Sequence, residues 1–142
     1  MRLITVLEIE QIAFRLAAEH LSFSEPIPVF SSRFPSVLES CLSAPFQSFG
    51  RKDLYPSAVA KTSILFYLLV KNHPFQNGNK RIAMTTLFYA LYLQEKWLRV
   101  DTQTLYNFAI WVAESPAPAK EEVVRYIEKF LKKHMIEYEL VA

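Results

Sequence analysis

Between residues 58 and 70 the chain offers a helix almost no polar face: Ala58, Val59, Ala60, Ile64, Leu65, Phe66, Tyr67, Leu68, Leu69 and Val70 surround the axis. A helix that is apolar on every side has to be wrapped by other elements. The segment therefore predicts a buried central helix. Its longest unbroken apolar run, residues 64–70, is far short of the ~20 residues a bilayer-spanning helix needs, so protein rather than lipid is expected to cover it. The whole sequence holds two glycines, which leaves little room for glycine-dependent hairpins and argues against a strand-rich fold. Half of the 142 residues are hydrophobic (51%) and 14% are aromatic, enough to fill one core of the usual size, roughly 100 to 200 residues. The expectation is one all-α domain over residues 1–142, about six helices around the central one, with residues 1–8 and 136–142 as peripheral tails.

The other helices announce themselves by period. Ile9, Ile12, Ala13, Leu16 and Ala17 recur at offsets that line one helix face, with Glu8, Glu10, Arg15 and Glu19 largely outside it. Prolines and serines break every period between Ser22 and Pro35, which reads as a long connection. A short helix carries Val37, Leu38, Cys41 and Leu42 and ends before Pro45. Tyr55-Pro56-Ser57 marks the entry to the central helix, with Pro56 near its first position. Pro74 takes His73 out of helical conformation, so that helix stops near Lys71 or Asn72. The next starts between Asn77 and Asn79 and runs to about Glu95; Thr102 is the expected cap of a helix carrying Leu105, Phe108, Ala109 and Val112; Val123, Val124, Ile127, Phe130 and Leu131 define the last.

Sixteen basic against fourteen acidic residues give a net charge of +2, too even for the basic stripe that dominates nucleic-acid binding; no nucleic-acid partner is expected, and no membrane. Cys41 is the single cysteine, which excludes an internal disulfide framework and agrees with a reducing compartment; it reads as a small core residue. Glu8 interrupts the start before a secretory segment develops. The expected location is the cytoplasm. His20 and His134 have no partners at ligand spacing, so no zinc site is expected. Lys129, Lys132 and Lys133 suit the end of a helix and solvent, and Trp97 and Trp111 suit the core or its rim.

Chemistry concentrates in His73-Pro-Phe-Gln-Asn-Gly-Asn-Lys-Arg81. Lys80 and Arg81 fall in the first turn of a helix, where the dipole and the unpaired N–H groups already place positive charge. Helix starts usually attract acids, and no acidic residue occurs between Asp53 and Glu95. An external anion resolves the conflict, and phosphate is the natural guest, with Gly78 allowing close approach to the main chain. His73, on the incoming loop, can accept a proton at neutral pH and is the candidate general base. Phe75 anchors the loop by burying its ring, and Pro74 stiffens it. Singly these features are commonplace: a histidine beside a proline is usually structural, Asn-Gly a turn, Lys-Arg a solvated face. Their conjunction within nine residues carries the reading.

The same nine residues resemble the signature of the Fic/Doc family, a His-x-Phe loop followed by an acid, Gly or Ala, Asn, a small or basic residue and Arg. The stretch from Phe34 to Pro45 is similar to the family's upstream helix, and the closest branch is Doc, the death-on-curing toxin. The resemblance implies a Fic-fold domain that transfers part of a nucleoside triphosphate to a protein hydroxyl. It makes His73 the catalytic base, with Lys80 and Arg81 stabilising the transferring group. It has Asn77, Gly78, Asn79, Lys80 and Arg81 binding ATP or another triphosphate, with Mg²⁺. Glycine stands at the Lys80 position, and arginine at the Met84 position, in members that transfer AMP; both departures are Doc-like. The Doc branch implies transfer of the terminal phosphate to a Ser/Thr hydroxyl, with translation elongation factor Tu as the first substrate to test, and an antitoxin partner whose disordered segment folds onto the toxin. The inhibitory helix pattern of many Fic enzymes has no match in the sequence.

Asn77 departs from the family, which has Asp or Glu there to help hold Mg²⁺; a neutral amide oxygen binds that ion less strongly. Two alternatives follow: AMP transfer to a protein hydroxyl, and a catalytically weakened module that binds nucleotides or partners.

Overall fold

The computed structural model describes residues 1–21 and 26–138. Six long helical segments account for most of them: α1 (residues 6–20), α2 (Pro35–Ser43), α3 (Ala58–Lys71), α4 (Asn79–Leu93), α5 (Thr102–Glu114) and α6 (Lys120–His134). Between them lie short 3-10 turns at Phe30–Ser32, Ala44–Phe46 and Ala117–Ala119. The domain is all-α in class, and α3 is its axis. It packs against α2, α4, α5 and α6, and Ile64, Leu65, Phe66, Leu69 and Val70 are each no more than 2% exposed. Burying a side chain of this kind stabilises the fold by roughly 1.5–3 kcal/mol. The polar residues inside this apolar run are satisfied locally where the geometry allows. Thr62 donates to the carbonyl of Ala58 at 2.8 Å, and buried Lys61 reaches back to the carbonyl of Tyr55 and the carboxylate of Asp53.

Helix ends depart from expectation by small, explicable shifts. The entry at Tyr55-Pro56-Ser57 holds, but Ser57 is the cap, accepting from the N–H of Ala60 at 3.0 Å, so Pro56 falls just outside α3 and not at its first position. Asp101 takes the place expected of Thr102 in capping α5, because its carboxylate accepts from both the backbone N–H (2.7 Å) and the hydroxyl (3.0 Å) of Thr104.

The interior of α1 departs more. Ile9–Phe14 forms a π turn within the helix, which shifts the stripe by inserting a residue into the turn. Ile9, Ala13, Phe14 and Ala17 are buried, while Leu16, expected on the core face, is 41% exposed. The hydroxyl of Thr85 on α4 donates to the carbonyl of Ala13 at 2.7 Å.

Two short antiparallel pairs appear that composition argued against. Ser48–Phe49 (β1) pairs with Lys52–Asp53 (β2), and the connecting Gly50 and Arg51 both have positive φ, 57° and 70°, as a two-residue hairpin turn requires. One of the two glycines is thus spent on a hairpin after all. Lys96–Leu98 (β3) pairs with Met135–Glu137 (β4). Ile136 and Glu137, read as the start of a tail, are therefore tied to Trp97 and Lys96. Residues 1–8 are likewise docked: Ile4 is 2% exposed, and Thr5 and Glu8 form a reciprocal capping box at the start of α1. Cys41 lies in the core, where burial pushes its thiol up to about 11.

Candidate active site

The site grows from the way α3 stops and α4 starts. Asn72 caps the C-terminal end of α3, its N–H donating to the carbonyl of Leu68, and His73 follows with φ +50°. As Pro74 requires, His73 leaves the helical conformation, taking the left-handed one that commonly ends helices and usually belongs to glycine. Holding a histidine there costs on the order of 1–2 kcal/mol, and it leaves the imidazole exposed at the helix exit.

The loop that follows is fastened from several sides. Phe75 is 2% exposed and closes an aromatic trio with Phe14 of α1, 5.7 Å between centroids, and Phe30, 5.9 Å. The N–H of Phe34 donates to the carbonyl of Pro74 at 2.9 Å, and Gln76 donates to the carbonyl of Ser32 at 3.2 Å.

Asn79 supplies the internal strut. Its Oδ1 accepts from the N–H of Phe75 at 2.9 Å and its Nδ2 donates to the carbonyl of Phe75 at 2.8 Å, so the amide mimics a backbone pair. The same Nδ2 lies 3.5 Å from Nδ1 of His73. At 8% exposure, this side chain, read from the sequence as a phosphate ligand, is already committed to holding the loop and orienting the imidazole.

Gly78 precedes α4 with φ +74°. The open face expected above it is filled: a Cβ added there would lie 2.4 Å from Cδ1 of Ile27. Glycine is required by both the backbone and this packing. No side chain caps the helix start among the described residues, and its first turn contains no acid.

Lys80 is half-buried, and its side chain makes no hydrogen bond or ion pair to a described residue. Arg81 is 5% exposed and donates from Nη1 to the carbonyl of Leu21 at 2.9 Å, at the negative end of α1. The two cations therefore differ: one is anchored across the fold, the other is available.

His73, Asn77, Gly78, Asn79, Lys80 and Arg81 all line one cavity of about 310 Å³, together with Gln76 and Tyr106. Phe75 lies behind it, in the core. Tyr106 comes from α5 and was not among the expected site residues. No local pattern distinguishes it from its neighbours, and only the packing of α5 against α4 brings it to the site. The lining contains two cations and no carboxylate. Among the described residues no group of three or more His, Cys, Asp or Glu could hold a metal ion. These side chains do not build a Mg²⁺ site of their own, since that ion is held through carboxylate and phosphate oxygens. The chemistry the lining can do is to receive an anion at a helix start and to take a proton at an imidazole beside it.

A family model described as the Fic/DOC family matches residues 3–91, which includes α1 to most of α4 and every lining residue except Tyr106. No curated protein and no solved structure matches the chain. No helix among the described residues is long and apolar enough to cross a membrane.

Proposed function

The chain belongs to the Fic/DOC family, whose members modify proteins with part of a nucleoside triphosphate, and from that premise we propose that it transfers the terminal phosphate of a triphosphate, such as ATP, to a Ser/Thr hydroxyl. The observation that carries this reading is the cavity: an imidazole, a cationic and uncapped helix start, and no carboxylate in one lining.

His73 takes the proton of the target hydroxyl as its oxygen attacks the γ-phosphorus; the bond from that phosphorus to the β,γ-bridging oxygen breaks, and the nucleoside diphosphate leaves. Lys80 and the first-turn N–H groups of α4 meet the charge that develops on the transferring group. Arg81, braced on Leu21, adds positive potential from a fixed position. Asn79 keeps the loop and imidazole in place. On this reading Mg²⁺ arrives with the triphosphate oxygens, and Asn77 offers at most a neutral oxygen.

Lys80 and Met84 support phosphate transfer over AMP transfer. Met84 is 1% exposed in the core, so no second arginine reaches the cavity from that position. The reading extends to a Doc-like toxin of a toxin–antitoxin pair, with elongation factor Tu as the first target to test. Its setting is then the cytoplasm. A second reading, a weakened binding module, is favoured specifically by Asn77.

The test is incubation of extract with triphosphate labelled at the α or the γ position, using the parent and His73→Ala. Label from γ alone, reduced roughly 10²- to 10⁴-fold in the variant, supports the proposal. Label from α assigns AMP transfer, and nucleotide binding without any label in the parent assigns the module.

A further inference from the structure

The second half of the chain presents an apolar face that the site does not use. Between α5 and α6, Phe108 stacks on Phe130 with centroids 4.1 Å apart. Over them Trp111 and Tyr126 meet edge to face at 5.6 Å. Although their rings touch, Trp111 is 44% and Tyr126 46% exposed. The two divide one groove into a basic end, flanked by Lys129 and Lys133, and an acidic end, flanked by Glu114 and Glu122.

The helix dipole explains an acid at the start of α6 and lysines at its end. It does not explain Glu114, the last residue of α5, which lies at that helix's negative end. Lys71 already serves the carbonyls there, donating to Ala113 and Ser115. Among the described residues no ion pair engages Glu114, Glu122, Lys129 or Lys133.

A face with an aromatic centre and opposite charges at its two ends is complementary to itself under a twofold rotation. Glu122 and Lys129 stand four and three residues either side of Tyr126, about 6 and 4.5 Å along the axis by helical rise. A twofold axis at Tyr126 therefore sets Glu122 of each copy against Lys129 of the other, and Trp111 against the facing aromatic pair. We infer that the α5–α6 groove is the interface of a symmetric dimer of this chain. The interface lies outside the segment that carries the family match, and it does not depend on the activity assigned above.

Sedimentation of the full chain, from low micromolar to submillimolar concentration, reads the dimer directly. The parent should dimerise. Glu122→Lys and Lys129→Glu alter exposed side chains, so both should fold, which circular dichroism checks. Each alone should weaken the dimer at least about tenfold by setting like charges opposite one another. An equimolar mixture should recover it, because the heterodimer restores both pairs. Trp111→Ala should weaken association without charge change. A parent that stays monomeric throughout overturns the inference, as does a dimer indifferent to both charge reversals or a mixture that fails to recover.

Discussion

The start of α4 and the start of α5 solve one physical problem in opposite ways. Both leave first-turn N–H groups without helical partners. At α5, Asp101 answers with its own carboxylate, held below its ordinary range chiefly by the N–H of Thr104. At α4 a glycine stands where the cap would be, and Lys80 and Arg81 add positive charge to a positive end. The starts of α1, with Glu8, and α6, with Glu121 and Glu122, follow the α5 pattern. The hydroxyl of Ser57 closes α3, and among the described helices α4 is the one that opens with two adjacent cations and neither an acid nor a side-chain cap, an arrangement suited to an external anion.

The contrast can be broken at the glycine. Gly78→Ala places a Cβ against Ile27 at a left-handed backbone position and should destabilise the fold by about 2–3 kcal/mol in denaturant melts. Making α4 resemble its neighbours is more informative. Lys80→Glu should raise stability by about 0.3–1 kcal/mol while lowering triphosphate affinity at least about tenfold by calorimetry; a gain in both would separate the cations from binding. Removing the α5 cap by Asp101→Ala should cost about 1 kcal/mol and leave triphosphate affinity unchanged.

Much of this contrast was readable in the sequence, because it is local. The missing acids from residue 54 to residue 94 and the adjacent Lys80 and Arg81 are facts of order along the chain, as is the apolar run that makes α3 the axis. What sequence reasoning missed is set by partners far away. The π turn in α1 accompanies the bond from Thr85 to Ala13, β4 exists only because β3 lies beside it, and Ile27 fills the space above Gly78. The commitment of Asn79 to Phe75 spans only four residues, but it accompanies a left-handed turn at His73 that the sequence left unspecified.

The smallest effect concerns the start of α1, where the Arg2 guanidinium, followed by Tyr89 and Thr5 against the opposing effect of burial, holds the Glu8 carboxyl at about 2 instead of its ordinary 4.5. A lowered acid stabilises above the unfolded value and loses that contribution as pH falls through the folded one. Stability should therefore drop between about pH 4.5 and 2, by less than about 1 kcal/mol from this group after discounting for its exposed partner, and Glu8→Gln should flatten that part of the acid titration.

The central claim is that α4 is left open for a triphosphate while α5 is closed by its own acid. Backbone amide shifts, followed by NMR as a non-hydrolysable triphosphate is added, test it in one titration. The N–H signals of Asn79, Lys80 and Arg81 should move and saturate together while those of Thr102, Gln103 and Thr104 stay within noise. Equal movement at both helix starts, or none at α4, contradicts the account.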